Sequence, residues 1–158
     1  MATHVVRARA PRGEAQTDGA RSDRTPDVIA AHIEDAAHFA GGHADGVARP
    51  RTERDVAHVL THASRVLPVG AQSSLTGGAT PDGGVVLSTT RLLSIQESGQ
   101  QHFRVGSGVP LTTLQELLHS SGRWYAPSPT YTGAFSGGVV ATNAAGAATF
   151  KYGTTRQW

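Results

Sequence analysis

From Thr52 onward the apolar positions fall at helical spacing. Val56, Val59, Leu60 and Ala63 stand at i, i+3, i+4 and i+7, and Thr52 with Asp55 has the separation of a capping box. A second stripe of Leu111, Leu114, Leu117 and Leu118 predicts another helix, with Thr113 and Glu116 at capping-box spacing and Gly122 placed to end it. Between the two helices the period changes: "RVLPVG", "GGVVLST" and "HFRVGSG" are short, valine-rich and bounded by glycine, which predicts three strands. Upstream, Asp27 is placed to cap a short helix after Pro26 that carries Val28, Ile29 and Ile33. The stretch "FAGGHADGVARP" predicts a loop region with one short strand at Gly46 to Ala48. This order of elements implies a mixed α+β chain, and the lack of any fixed period excludes a solenoid or propeller.

Length and composition narrow the picture further. A chain of 158 residues suits one domain, and 38% hydrophobic content with 19 glycines and 8 prolines describes a globular, turn-rich protein. The formal charge is +2, and Arg7, Arg9, Arg12, Arg21 and Arg24 account for five of the 14 basic residues, so little basic surface remains for nucleic acid. With no cysteine, disulfides and thiolate metal sites are excluded, a reducing compartment is permitted, and the cytoplasm is the expected location. Residues 1–24 have no long apolar run and carry Glu14, Asp18 and Asp23, unlike a signal peptide, a transit peptide or a membrane anchor. Residues 1–25 are therefore expected to be a disordered leader, and residues 26–158 the ordered part.

Two small-residue segments carry the candidate chemistry. In "LPVGAQSSLTGGATPDGGVVLS" an apolar strand ends at Val69 and turns into Gly70, Ala71, Gln72, Ser73, Ser74, Leu75, Thr76, Gly77 and Gly78. Such a turn lets successive backbone N–H groups point into one concavity while hydroxyls add donors, which suits a pyrophosphate without any lysine. A P-loop fails because Gly77 is followed by Gly78 and Ala79 rather than by lysine, and a Rossmann fingerprint fails because Pro110 follows Gly106 and Gly108. The second segment, "PSPTYTGAFSGGVVATNAAGAATFKYGTTR", brings Gly133, Gly137, Gly138, Asn143, Gly146 and Gly153 into one stretch. If Gly137 and Gly138 open a short helix, its N-terminus would present free amides to a second face of the same diphosphate.

Other chemistry-bearing residues have plainer readings. His58 and His62 lie opposite the apolar stripe and suit a solvated helix face better than a metal site, and His38 with His43 lack a third ligand at suitable spacing. Trp124, Tyr125, Tyr131 and Phe135 could line a flat-ring pocket, with core packing the stronger expectation for Trp124 and Phe135. Ser73 and Ser74 have no G-x-S-x-G context and no paired base, which argues against nucleophilic catalysis.

Taken in order, "ARPRTERDVAHVL", "VLPVGAQSSLTGGATPDGGVVLSTTRL", "VGSGVPLTTLQELL", "GAFSGGVVATNAAG" and "KYGTTR" resemble the N-terminal FAD-binding domain of FAD-linked oxidases, the p-cresol methylhydroxylase (PCMH) type. Vanillyl-alcohol oxidase, D-lactate dehydrogenase and the glycolate oxidase D subunit share that domain. The resemblance runs from about Asp35 to the end and implies a PCMH-type α+β fold: a small, mostly parallel sheet with helices, followed by the beginning of a second subdomain. It implies that Val69, Gly70, Ala71, Gln72, Ser73, Ser74 and Leu75 wrap the FAD pyrophosphate and that Gly77 and Gly78 close this loop. It further implies that Pro129, Thr132 and Gly133 lie along the cofactor, and that Ser136, Gly137, Gly138, Asn143 and Gly146 complete the site. The family commonly has glycine where this chain has Gln72 and threonine where it has Ser73, so Gln72 is expected to crowd the turn. Relatives that bind flavin covalently use histidine or cysteine near the ring; here no histidine lies between Pro68 and Gly78 and cysteine is absent, which implies noncovalent FAD.

The implied function is the FAD-binding portion of a flavin-dependent oxidoreductase that oxidises a 2-hydroxy acid or an alcohol when complete. Residues that touch substrate belong, in such enzymes, mostly to sequence beyond this stretch, so no catalytic residue is assigned. The alternative is a non-catalytic, truncated remnant that holds FAD only when a partner chain supplies the missing part. A flavin subunit of a molybdenum hydroxylase or a cell-wall precursor reductase would share the fold, but "TNAAGAATFKYG" is closer to the lactate and glycolate group.

Overall fold

In the computed structural model, which describes residues 18–99 and 102–158, the valine-rich segments pair as short strands. Strand β1 (Ser22–Asp23) is followed by α1 (Pro26–Ala30), β2 (Gly46–Ala48), α2 (Glu53–His62), β3 (Val66–Val69) and β4 (Val85–Ser88). They form one sheet in the order β1-β2-β4-β3, antiparallel between β1 and β2 and parallel for the other two pairs. A hairpin of β5 (Ile95–Ser98) and β6 (His102–Val105) stands apart as an antiparallel pair. Helices α3 (Leu111–Ser120), α4 (Ser136–Ala141) and α5 (Thr149–Tyr152) complete the α+β arrangement.

Alternation along the central strands assigns their side chains to two faces. Val47, Val69 and Val86 pack with Ala79, Val28 and Ile29 on one face, whereas Ala48 and Leu87 pack against Val59 and Val56 of α2 on the other. Both faces of the parallel strands are thus covered, as parallel pairing requires. A third apolar cluster, Val109, Leu111, Leu114, Leu118 and Val139, joins α3 and α4 beneath Phe103 and Val105 of the hairpin.

The capping box at Thr52 forms as expected: the Thr52 hydroxyl accepts from the Asp55 N–H at 3.2 Å, and the Asp55 carboxylate accepts from the Thr52 N–H at 3.0 Å. Other expectations are corrected. Thr25, not Asp27, precedes the first turn of α1, and Ile33 lies beyond that helix. Helix α3 starts two residues before Thr113, after Pro110, whose ψ of 143° gives the extended backbone of an N-cap, so Thr113 and Glu116 form no box. Leu60 is 57% exposed, outside the core stripe of α2. Ser22 and Asp23 pair with Ala48 and Val47, so regular structure begins inside the expected leader; the leader expectation for residues 1–17 lies outside the described residues.

Candidate functional site

Parallel neighbours need a crossover of a dozen or more residues, usually a helix. Between β3 and β4 the crossover is residues 70–84, with neither helix nor strand, and it leaves the sheet at the carboxyl end of β3, the end at which open α/β sheets bind ligands. Its first half offers donors: among the described residues, the N–H groups of Ala71, Gln72, Ser73, Ser74 and Leu75 make no hydrogen bond. In its second half Ser74 Oγ accepts from the N–H groups of Thr76 at 3.3 Å and Gly78 at 3.2 Å, Thr80 N–H donates to the Gly77 carbonyl at 3.1 Å, and the Gly77 and Ala79 N–H groups face Asp35. Leu75 at the crest is 76% exposed.

Gln72 adopts φ +52°, the left-handed region that glycine occupies at least cost. Its side chain does not crowd the turn: Nε2 donates to the Glu34 carbonyl at 2.7 Å, and its own carbonyl accepts from the Ala36 N–H at 2.9 Å. Asp35, between these two contacts, is only 4% exposed. Its Oδ1 accepts from the Ala37 N–H at 3.1 Å, an Asx-type turn. Its Oδ2 is buried without a partner in hydrogen-bond geometry. Burial pushes the Asp35 carboxyl up, but the Ala37 N–H, the Ser74 hydroxyl and the Ala79 and Gly77 N–H groups outweigh it and hold the group below the ordinary carboxylate range. Sequence reasoning missed Asp35; its one legible signal was an acidic residue before small residues, which suits a turn.

The second segment approaches the start of this loop. Gly70 faces Phe135, to which an added Cβ would stand 3.5 Å away. Val69, Gly70, Thr89, Ser107, Gly137 and Gly138 line a shared recess of about 430 Å³. The Thr89 hydroxyl donates to the Val69 carbonyl at 3.3 Å and fixes that corner. The expectation of a helix N-terminus with free amides is corrected. Ser136 N–H donates to the Val109 carbonyl at 2.9 Å and Gly137 N–H to the Ser107 carbonyl at 3.0 Å, leaving Gly138 as the free donor of these three. Ser136 is buried, and its hydroxyl donates to the Gly106 carbonyl at 2.6 Å.

No hydrogen bond among the described residues joins Pro129, Thr132, Gly133, Asn143 or Gly146 to residues 70–78. Thr132 offers its carbonyl to the Thr112 N–H at 3.3 Å, and Gly133 lies under the Tyr131 ring, whose hydroxyl an added Cβ would meet at 2.7 Å. Asn143, at φ +49°, ends α4 and accepts from the Arg156 N–H at 2.9 Å. Gly146 passes against the backbone of Ser128 and Pro129 and donates to Thr149 Oγ1 at 3.0 Å. Trp124 and Phe135, both expected in the core, lie outside it: Trp124 is exposed and meets Tyr152 edge-on, and Phe135 backs Gly70. His58 and His62 stack at 4.0 Å along α2. No group of three or more histidines or carboxylates among the described residues could hold a metal ion, and no helix among them is long and apolar enough to cross a membrane.

Comparison with known proteins shows the family to which the chain belongs. Residues 44–158 match the family described as FAD binding domain. The chain is 32% identical over 148 residues to D-lactate dehydrogenase from Archaeoglobus fulgidus, covering 90% of this chain and 32% of that protein. It is 30% identical over 122 residues to the glycolate oxidase subunit GlcD of Bacillus subtilis, covering 72% of this chain and 26% of that protein. A solved alkyldihydroxyacetonephosphate synthase superposes with a TM-score of 0.69 at 17% identity, over 84% of this chain and 32% of that one, and shares the fold. The chain thus spans about a third or less of the length of these proteins.

Proposed function

Because this chain belongs to the FAD binding domain family, we propose that residues 70–75 hold the diphosphate of noncovalently bound FAD, with Gly77 and Gly78 closing the loop. One observation carries this: five consecutive backbone N–H groups, at Ala71, Gln72, Ser73, Ser74 and Leu75, have no partner among the described residues and sit at the carboxyl end of a parallel strand. A row of amides in a turn suits an anion because each contributes a fixed partial positive charge and a donor. Gly70 and Gly138, which lack side chains, leave the adjoining recess open for the cofactor to continue from Val69 toward α4. Pro129, Thr132, Gly133, Ser136, Gly137, Asn143 and Gly146 are proposed to lie along the remainder of the cofactor.

Bound flavin supplies the capacity to accept a hydride. The role of these residues is to bind the diphosphate and orient the ring. In the whole protein we propose a 2-hydroxy acid or an alcohol as the hydride donor, supported by relatives named for lactate and glycolate. The test is to add FAD to the purified chain, separate it by gel filtration, and record the flavin absorbance bands of the protein peak. A peak with stoichiometric flavin supports the site, and release of the flavin by mild denaturation supports noncovalent attachment. A colourless peak at saturating FAD argues against a self-sufficient site.

A second reading has its own support. An apolar groove of about 860 Å³, lined by Leu111, Leu114, Val139, Trp124 and Trp158 among others, also borders α4, with Trp124, Val140 and Trp158 exposed. Exposed apolar surface of this kind favours packing against further protein. On this reading FAD is retained only when that protein is present, and adding back the remaining part of the flavoprotein restores the colour.

A further inference from the structure

The loop just assigned to the diphosphate is held from behind by a segment with no role in that assignment. Three contacts converge there. Gln72 is tied twice to residues 34–36, through its side-chain amide on the Glu34 carbonyl and its carbonyl on the Ala36 N–H. Asp35, almost wholly buried, points its carboxylate at the returning half of the loop, where Ser74, Gly77 and Ala79 face it. Phe39 lies against Gly77, where an added Cβ would stand 3.0 Å from the ring.

We propose that residues 34–39 are a clasp that presets the diphosphate loop, with Asp35 and Gln72 as positioning residues that shape it before any cofactor binds. The clasp divides the loop's donors. In the returning half the Thr76 and Gly78 N–H groups turn to Ser74 Oγ and those of Gly77 and Ala79 face Asp35, so the turn closes while the N–H groups of residues 71–75 stay unpaired. Preorganised donors need no rearrangement on binding, which conserves affinity. At Gln72 the chain has a side chain at a left-handed position, and that side chain supplies an anchor that glycine could not.

The proposal rests on the assignment of residues 70–75 to the FAD diphosphate, and two measurements on the full chain separate the two claims. Amide hydrogen exchange without FAD is compared among wild type, Asp35→Asn and Gln72→Leu, and FAD affinity is read from quenching of flavin fluorescence. Asparagine keeps the volume of Asp35 but turns one acceptor into a donor facing donors, and leucine removes the anchor at Gln72 while leaving the carboxylate intact. The clasp predicts faster exchange at Gly77 and Ala79 with unchanged exchange at Val47 and Val86 of the sheet, and FAD binding weakened by about tenfold. Simple charge repulsion between Asp35 and the diphosphate predicts the opposite sign, so tighter FAD binding by Asp35→Asn overturns the proposal. Unchanged loop exchange in both variants overturns it too. If Asp35→Asn does not fold, Gln72→Leu decides by the same two readouts. If wild type itself binds no FAD, the assignment of the site fails, and exchange alone decides whether the clasp exists.

Discussion

Gly138→Ala separates stability from cofactor binding. Gly138 lies within α4, at a negative φ, and a Cβ built there meets nothing within 4 Å. Alanine therefore fits the cofactor-free chain without a clash and lowers the conformational entropy that glycine loses in a helix. The expected gain is about 0.5–1 kcal/mol, which raises the melting temperature by roughly 1–4 °C for a chain of this size. The same methyl, however, enters the recess of about 430 Å³ that Gly138 shares with Gly70. If FAD fills that recess, the methyl overpacks it at a cost of about 1–3 kcal/mol, between roughly fivefold and 150-fold in Kd. Thermal melts followed by circular dichroism without FAD, and a fluorescence titration with it, should thus move in opposite directions. A higher melting temperature with an FAD affinity within twofold of wild type would place Gly138 outside the cofactor's path and refute the reasoning. Gly137→Ala is the control: its Cβ would sit 2.7 Å from Ser107 Cβ and 2.9 Å from the Ser107 carbonyl oxygen, so stability and affinity should fall together.

Gly108→Ala drives a Cβ into the Thr89 carbonyl and should cost about 1–3 kcal/mol in urea denaturation; a neutral result would show that the segment around residues 105–109 yields easily. Thr52→Ala removes the cap of α2 and should lower stability by about 1 kcal/mol. Asp55→Ala should cost more, about 2–3 kcal/mol, because this 2% exposed carboxylate accepts from both Arg51 and Thr52 N–H groups; equal losses would mean that those donors find other partners. The Asp35 carboxyl titrates below its ordinary value in the folded chain, so its contribution is present above about pH 4 and is lost as pH falls through the folded-state value. Acid unfolding of wild type should therefore be steeper below about pH 4 than that of Asp35→Asn. Parallel acid curves would contradict the assignment.

The strands and helices that the sequence announces are those whose own residues carry the pattern. Val66, Val69 and Val85 to Leu87 are apolar and bracketed by glycine, and α2 shows both its stripe and its cap. Elements that exist through their partners are illegible: β1 is two polar residues whose strand character comes from pairing with Val47 and Ala48, and β5 has one apolar residue, Ile95, matched to β6 across the hairpin. The small-residue loop was legible because small residues dominate it and favour such a turn. The clasp behind it was not, because an acid beside two alanines looks like any surface turn until tertiary contacts bury it. The Ser136 hydroxyl donates to the Gly106 carbonyl, a contact that no local pattern could have revealed.

The strand order accounts for the absence of a lysine from this site. In a helix-based phosphate site the donors are the first N–H groups of the helix, aligned by its dipole. Here β3 and β4 are parallel neighbours joined by a crossover without a helix, so no helix consumes or aligns the loop's N–H groups, and the turn itself must hold them outward. Arg21, Arg24, Arg49 and Arg91 do not substitute for a lysine in this role, since they gather with Asp23 around a separate recess beside β1 and β2. Neutral backbone donors are effective against an anion when they are held in place and partly shielded from water, and both conditions come from packing. Gly70 against Phe135, and the 105–109 segment against Thr89 and Leu92, bring α4 beside the loop's first residue. Gly106 and Gly108 thereby shape the site without lining its recess: a side chain at either would push the segment off the Thr89 and Leu92 carbonyls and move Gly138 away from Gly70.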